Sequence, residues 1–165
     1  MNQNHYPHAL WSEVLPGLWQ GGTDDFDVIG APGHSPNRVT TNHFDAVYTL
    51  YARANGASWN VKEVRFGFAD GDMTDFDPER DLFFAVREAH ADWKAGKRVL
   101  IRCQAGLNRS GLVMALVLIR EGYTPHEAVE LIRATRGDIA LCNNTFVRWL
   151  THRADVDFWR EKVAA

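Results

Sequence analysis

Three apolar residues, Val99-Leu100-Ile101, lead through a short turn into an apolar helix over Ser110–Glu121 that Gly122 ends. A buried strand feeding directly into a helix predicts an α/β fold, in which sites form at the carboxyl ends of strands beside helix starts. The other segments agree. Ser12–Gln20 reads as a short strand or hairpin broken at Pro16-Gly17. Phe44–Tyr51 is mostly apolar and Val61–Phe68 alternates in part, so both read as strands. Leu82, Phe83, Val86, Ala89 and Trp93 recur at three- and four-residue steps. Pro78–Lys94 is therefore an amphipathic helix, with Pro78 in its first turn and Gly96 beyond its end. Thr124, Pro125 and Glu127 open a further helix that runs to Arg136 and stops at Gly137. Asn143–His152 and Val156–Val163 read as helices too. The order predicts a single domain over residues 1–165: a central mixed, largely parallel sheet of about four or five strands flanked by helices.

Composition removes several classes. Of the 165 residues, 45% are hydrophobic and 24% charged, which excludes a disordered chain, a collagen-like repeat and a disulfide-dense scaffold. A net charge of −3 offers no basic field, so nucleic acid is not an expected partner. Leu112–Ile119 is too short to span about 30 Å of bilayer. Met1–Leu10 lacks the basic-then-apolar secretory pattern. The expectation is a soluble, cytoplasmic monomer without membrane association. Cys103 and Cys142 do not read as a disulfide framework, and His5, His8, His34, His43, His90, His126 and His152 show no zinc-site spacing, so neither a metal nor a cofactor is expected. Gly21–Thr41 reads as a long surface loop, of a length that often accompanies function.

The turn itself is Cys103-Gln104-Ala105-Gly106-Leu107-Asn108-Arg109-Ser110. A turn this tight aims successive backbone N–H groups inward, and with a helix's positive end beneath it forms an anion site. Gly106 lets it bend where a Cβ would clash. Arg109 closes the ring with a planar, two-pronged guanidinium suited to two phosphate oxygens. Cys103 sits at the mouth of the same field, and helix ends and nearby cations favour thiolate over thiol. The groups that hold a phosphate therefore also prepare a nucleophile, and Ser110 is placed to donate to its sulfur. The bland alternative is a cysteine at the end of a buried strand. Spacing alone is weak evidence, since Cys142 and Arg148 repeat it. That second copy lacks the glycine, the Ser or Thr after the arginine, and the preceding buried strand.

The whole context around Cys103 resembles the loop of the cysteine-dependent phosphatases of the protein tyrosine phosphatase superfamily, and in length the compact dual-specificity type. The resemblance implies that Cys103 attacks phosphorus to form a phosphocysteine. It implies that Gln104, Ala105, Gly106, Leu107, Asn108 and Arg109 bind the phosphoryl group, and that water then hydrolyses the adduct. One departure is Arg102, where the family usually has a histidine that orients the loop; Arg102 either serves through its charge or points away. The resemblance also implies an aspartate general acid on a loop upstream. Asp70, at the end of a strand and before a glycine, is the choice, with Asp72 its rival. The rest of Asp70, Asp72, Asp75 and Asp77 form a solvated turn ahead of the Pro78 helix. Asn143 reads as a helix N-cap, with positioning of the attacking water as the alternative.

The expected substrate is a phosphorylated protein or peptide: phosphotyrosine, and phosphoserine and phosphothreonine where the pocket is shallow. Two readings compete. One is a phosphate-binding module without turnover, towards which Arg102 leans. The other is the same chemistry on an RNA 5′-phosphate, a phosphosugar or an inositol phosphate. Against lipid substrates, the loop carries none of the lysines that lipid phosphatases of the superfamily tend to place there.

Overall fold

Pro16 and Gly17 turn the chain back on itself, Gly17 taking the left-handed conformation at φ +82° that glycine tolerates. The turn joins β1 (Trp11–Leu15) to β2 (Leu18–Gly21) as an antiparallel hairpin. The computed structural model describes residues 7, 9–33, 35–74 and 76–161. His5, His8, His34, Asp75 and the end of the expected Val156–Val163 helix lie outside the described residues.

Three further strands run parallel to β2: β3 (Ala46–Thr49), β4 (Lys62–Arg65) and β5 (Val99–Arg102). The sheet order is β1-β2-β5-β3-β4, a five-stranded, largely parallel sheet with one antiparallel edge strand. β5 is central and buried at all four positions, as a parallel strand covered on both faces must be.

Strand alternation decides what each side chain meets. Leu18, Ala46, Tyr48, Val99, Ile101 and Cys103 face the main core, which the helices complete. Val47 and Leu100 face the other side, where Val39, Phe44 and Val61 from the connecting segments cover them. Among the described residues the helices thus gather on one face, and loops roof the other.

The helices are α1 (Pro78–Asp81), α2 (Phe83–Lys94), α3 (Arg109–Glu121), α4 (Pro125–Arg136), α5 (Asn144–His152) and α6 (Val156–Arg160). Pro78–Lys94 reads from its periodicity as one helix, yet the structure breaks it at Leu82, whose φ of −102° and ψ of −11° separate α1 from α2. At the break Leu82 is fully buried and Phe83 packs on Phe158 at 5.4 Å, so tertiary packing outweighs the continuous helical pattern. α3 runs through the middle of the helical layer, buried at every position from Ser110 to Ile119. Each of its Leu, Ile or Val side chains contributes about 1.5–3 kcal/mol by leaving water. That burial anchors the helix start beside Cys103. Among the described residues no helix is long and apolar enough to cross a membrane.

Candidate active site

The turn from β5 to α3 carries Cys103 at its base, 2% exposed, its N–H donating to the Gly21 carbonyl at 3.1 Å. Gly106 is required twice over. Its φ is +73°, and a Cβ there would lie 2.4 Å from the Gly21 carbonyl carbon. The four carbonyls of residues 104–107 turn outward. Gln104 O accepts from Thr23 N at 2.9 Å, and Leu107 O from Leu141 N at 3.0 Å. Ala105 O accepts from Arg136 Nη2 at 3.3 Å. Gly106 O accepts from Arg136 Nε at 3.0 Å and from Gln20 Nε2 at 3.2 Å. In a planar trans peptide the N–H points opposite to the carbonyl, so the N–H groups of residues 105–108 face inward. Among the described residues, none of the backbone N–H groups of residues 104–108 has a partner. With the N-terminus of α3 beneath, this is a concave ring of free donors, the geometry that an oxyanion fills.

Cys103 Sγ lies 3.3 Å from Ser110 Oγ. Arg109 opens α3, its guanidinium 5.2 Å from the Tyr51 ring centre and its Nη1 donating to Phe68 O at 3.2 Å. Its Nε is buried without a partner among the described residues, a donor still unspent.

Among the described residues of the acidic segment, only Asp70 is tied to the loop. Its Oδ2 accepts from Asn108 Nδ2 at 3.0 Å and its Oδ1 from Asn143 Nδ2 at 2.9 Å. Asp72 Oδ1 instead accepts from Thr74 N at 3.1 Å and serves its own turn. Asp77 caps α1 through Glu79 N at 3.1 Å. Asn143 is the helix N-cap that its sequence position predicts, and it makes a further contact. Its Oδ1 caps α5 through Thr145 N at 3.0 Å, while its Nδ2 reaches Asp70 and Gly71 O. Cys142 is exposed just ahead of α5, with Arg148 inside that helix, so no loop forms between them.

Arg102 points away. Alternation along β5 sends it to the face opposite Cys103, and there its side chain is 1% exposed. Nε donates to Thr49 Oγ1 at 3.0 Å, Nη1 to Asp27 Oδ2 at 3.2 Å, and Nη2 to Asn55 O at 2.7 Å and Glu63 Oε2 at 3.2 Å. Burial pushes the guanidinium below its ordinary range while Asp27 and Glu63 oppose that shift. Burial likewise raises the Asp27 carboxyl, even with Arg102 beside it. Arg102 therefore pins the long loop after β2 to the sheet and leaves the orienting of the Cys103 loop to other groups.

Two of those groups are absent from the reading of the sequence. Arg136, 4% exposed at the end of α4, holds two loop carbonyls and also donates to Ala9 O at 2.7 Å. Burial pushes it down to about 10, the neighbouring Cys103 opposes that shift, and it remains a cation at neutral pH. By sequence it looks like an ordinary basic residue in a last helical turn. Gln20 is a polar residue in a strand that is otherwise apolar, and that incongruity is the signal that reveals it.

Beside the Asp70 loop opens a cleft of about 660 Å³, lined by Met73 and Thr74 on one side and by Arg148, Trp149, His152 and Arg153 on the other. Among the described residues no group of three His, Cys, Asp or Glu side chains is arranged to hold a metal ion.

The family model of the dual specificity phosphatase catalytic domain matches residues 29–155. Several solved structures are similar. Human DUSP28 shares 20% identity over 88% of this chain and 93% of its own, with a TM-score of 0.71. A mouse putative dual specificity phosphatase complexed with zinc tungstate shares 20% over 91% and 88%, with a TM-score of 0.65. PTPMT1 in complex with PI(5)P shares 20% over 88% and 99%, with a TM-score of 0.60. At these identities the likeness is one of fold. No curated protein matches the chain. The family match takes in β3 through α5 together with the whole cysteine-to-arginine loop, and the chain belongs to the dual specificity phosphatases as a cysteine-dependent phosphatase.

Proposed function

We propose that the protein hydrolyses phosphotyrosine monoesters on proteins or peptides, and phosphoserine and phosphothreonine monoesters with them, through a phosphocysteine intermediate. The observation that carries this is the loop whose carbonyls face out and whose N–H groups face in, between the Cys103 sulfur and the Arg109 guanidinium. The phosphoryl oxygens occupy the ring of N–H donors and the Arg109 fork. The Cys103 sulfur attacks phosphorus, the ester P–O bond breaks, and Asp70 gives its proton to the leaving oxygen. Water then attacks phosphorus, its proton passes to the Asp70 carboxylate, and the P–S bond breaks with the electron pair on sulfur. Ser110 donates a hydrogen bond to that sulfur as it leaves.

Two features support a protein substrate. The loop residues Gln104, Ala105, Leu107 and Asn108 carry no charge, which suits a single monoester phosphate. The general acid must stand beside the ester oxygen, so the alcohol part of the substrate leaves the pocket on the Asp70 side. There it meets the cleft with Arg148, Trp149, His152 and Arg153, a surface that fits an extended segment with acidic side chains.

The test is phosphate release from phosphotyrosine, phosphoserine and phosphothreonine peptides and from PI(5)P, the lipid bound in the PTPMT1 structure. Turnover of the peptides is expected, abolished by Cys103→Ser. Asp70→Asn should slow it by about 10²–10⁴ and flatten the alkaline fall of the pH–rate profile, while Asp72→Asn leaves both unchanged. A clear preference for PI(5)P would overturn the protein-substrate reading.

A further inference from the structure

Gln20 lies on β2 and faces the main core side of the sheet, fully buried beside the start of α3. Its Nε2 donates to Ser110 Oγ at 3.3 Å and to Gly106 O at 3.2 Å. Its Oε1 is buried with no partner among the described residues. A buried, unpaired carbonyl opposes folding, and an apolar side chain of the same length would fill the space without it. What the amide brings to this position is its pair of N–H donors.

Those donors remove every choice from the Ser110 hydroxyl. A serine hydroxyl has one proton and two lone pairs. The Gln20 N–H takes a lone pair, so the serine proton cannot point that way. In a helix that proton's usual rival acceptor is the carbonyl four residues back. For Ser110 that carbonyl is Gly106 O, and Gln20 Nε2 and Arg136 Nε already occupy it. Among the described residues the remaining partner of the hydroxyl is the Cys103 sulfur, 3.3 Å away, which as a thiolate can only accept.

We infer that Gln20 is a positioning residue: it directs the Ser110 hydroxyl proton onto the Cys103 sulfur, favouring the thiolate before attack and the departing thiolate when water breaks the P–S bond. No proton is transferred along this chain; the Ser110 O–H bond stays intact, and only its direction is set. The family match begins at residue 29, after β2, so Gln20 lies outside it. The inference rests on Cys103 acting as the nucleophile.

The experiment compares Gln20→Met, which keeps length and loses both donors, with wild type. Turnover of p-nitrophenyl phosphate is expected to fall about tenfold or more, the size of one hydrogen bond to a charged group, with KM little changed. The pH profile of Cys103 alkylation by iodoacetamide should move to the alkaline side, and Tm should stay level or rise. Ser110→Ala should reproduce the kinetic change, and adding Gln20→Met to it should change turnover no further. Gln20→Leu, run in parallel, supplies the same comparison should Gln20→Met fold poorly. Wild-type turnover and alkylation in a folded Gln20 variant overturn the inference, as does a full Gln20 effect on the Ser110→Ala background. Cys103→Ser separates the two levels: if it stays active, the reaction reading falls, and if it is dead while Gln20→Met is normal, only the role of Gln20 falls.

Discussion

The Asp70 carboxylate meets the Asn143 side-chain amide at 2.9 Å across 73 residues of sequence. The contact ties the loop after β4 to the start of α5, and with the Asn108 amide on the other oxygen it holds the carboxylate at the rim of the Cys103 loop.

Asn143→Ser separates the two jobs of that side chain. Serine caps a helix about as well as asparagine, so α5 and the unfolding midpoint should stay close to wild type. Serine is too short to span to Asp70, so turnover of phosphoserine peptide, whose leaving group depends on the acid, should fall about tenfold. Turnover of p-nitrophenyl phosphate, with its better leaving group, should fall less. Steady-state kinetics on the two substrates measure the split.

Removing Arg102 should cost stability rather than chemistry. Arg102→Ala leaves Asp27 and Glu63 without the cation they share, and breaking a buried pair of this kind costs about 3–5 kcal/mol. Urea unfolding should show that loss. The turnover of the remaining folded enzyme should stay within a few-fold of wild type, because Arg102 faces away from Cys103.

Asp92 carries a pH dependence. Burial raises its pKa, but Lys62 at 2.8 Å, the Tyr48 hydroxyl and Lys97 at 3.1 Å outweigh burial and leave it below the ordinary 3.8. A carboxyl whose folded pKa is depressed adds stability above its unfolded pKa, and that stability is lost as pH falls through the folded value. Asp92→Asn should therefore be less stable than wild type at pH 7, by about 1.5–3 kcal/mol, the size of a hydrogen bond to a charged group. The gap to wild type should narrow as pH drops below about 4, as urea titrations across pH would record.

The basic side of the cleft should act on peptides and not on small esters. Arg148→Glu combined with Arg153→Glu should raise KM for an acidic phosphopeptide several-fold at low salt, with the difference shrinking as salt is added. KM for p-nitrophenyl phosphate, which is too small to reach the cleft, should not move.

Much of the site was legible in the residues alone because it is local. Val99-Leu100-Ile101 make a strand, Gly106 permits a tight turn, and Arg109-Ser110 open an apolar helix, so the loop between them follows from a dozen contiguous residues. The direction of Arg102 was open in the sequence and was decided in the sheet, where alternation along β5 turns it to the face opposite Cys103 and onto Asp27 and Glu63. The partners that complete the loop come from far off: Gln20 is 90 residues from Ser110, Arg136 is 30 from Gly106, and Asn143 is 73 from Asp70. No periodicity or capping rule links residues at such distances. The ties of Asp70 to Asn108 and Asn143, the break at Leu82 and the gathering of the helices on one face likewise came only when the sheet and helices packed. Propensity acts over a few residues, whereas a buried hydrogen bond needs two distant surfaces brought into contact.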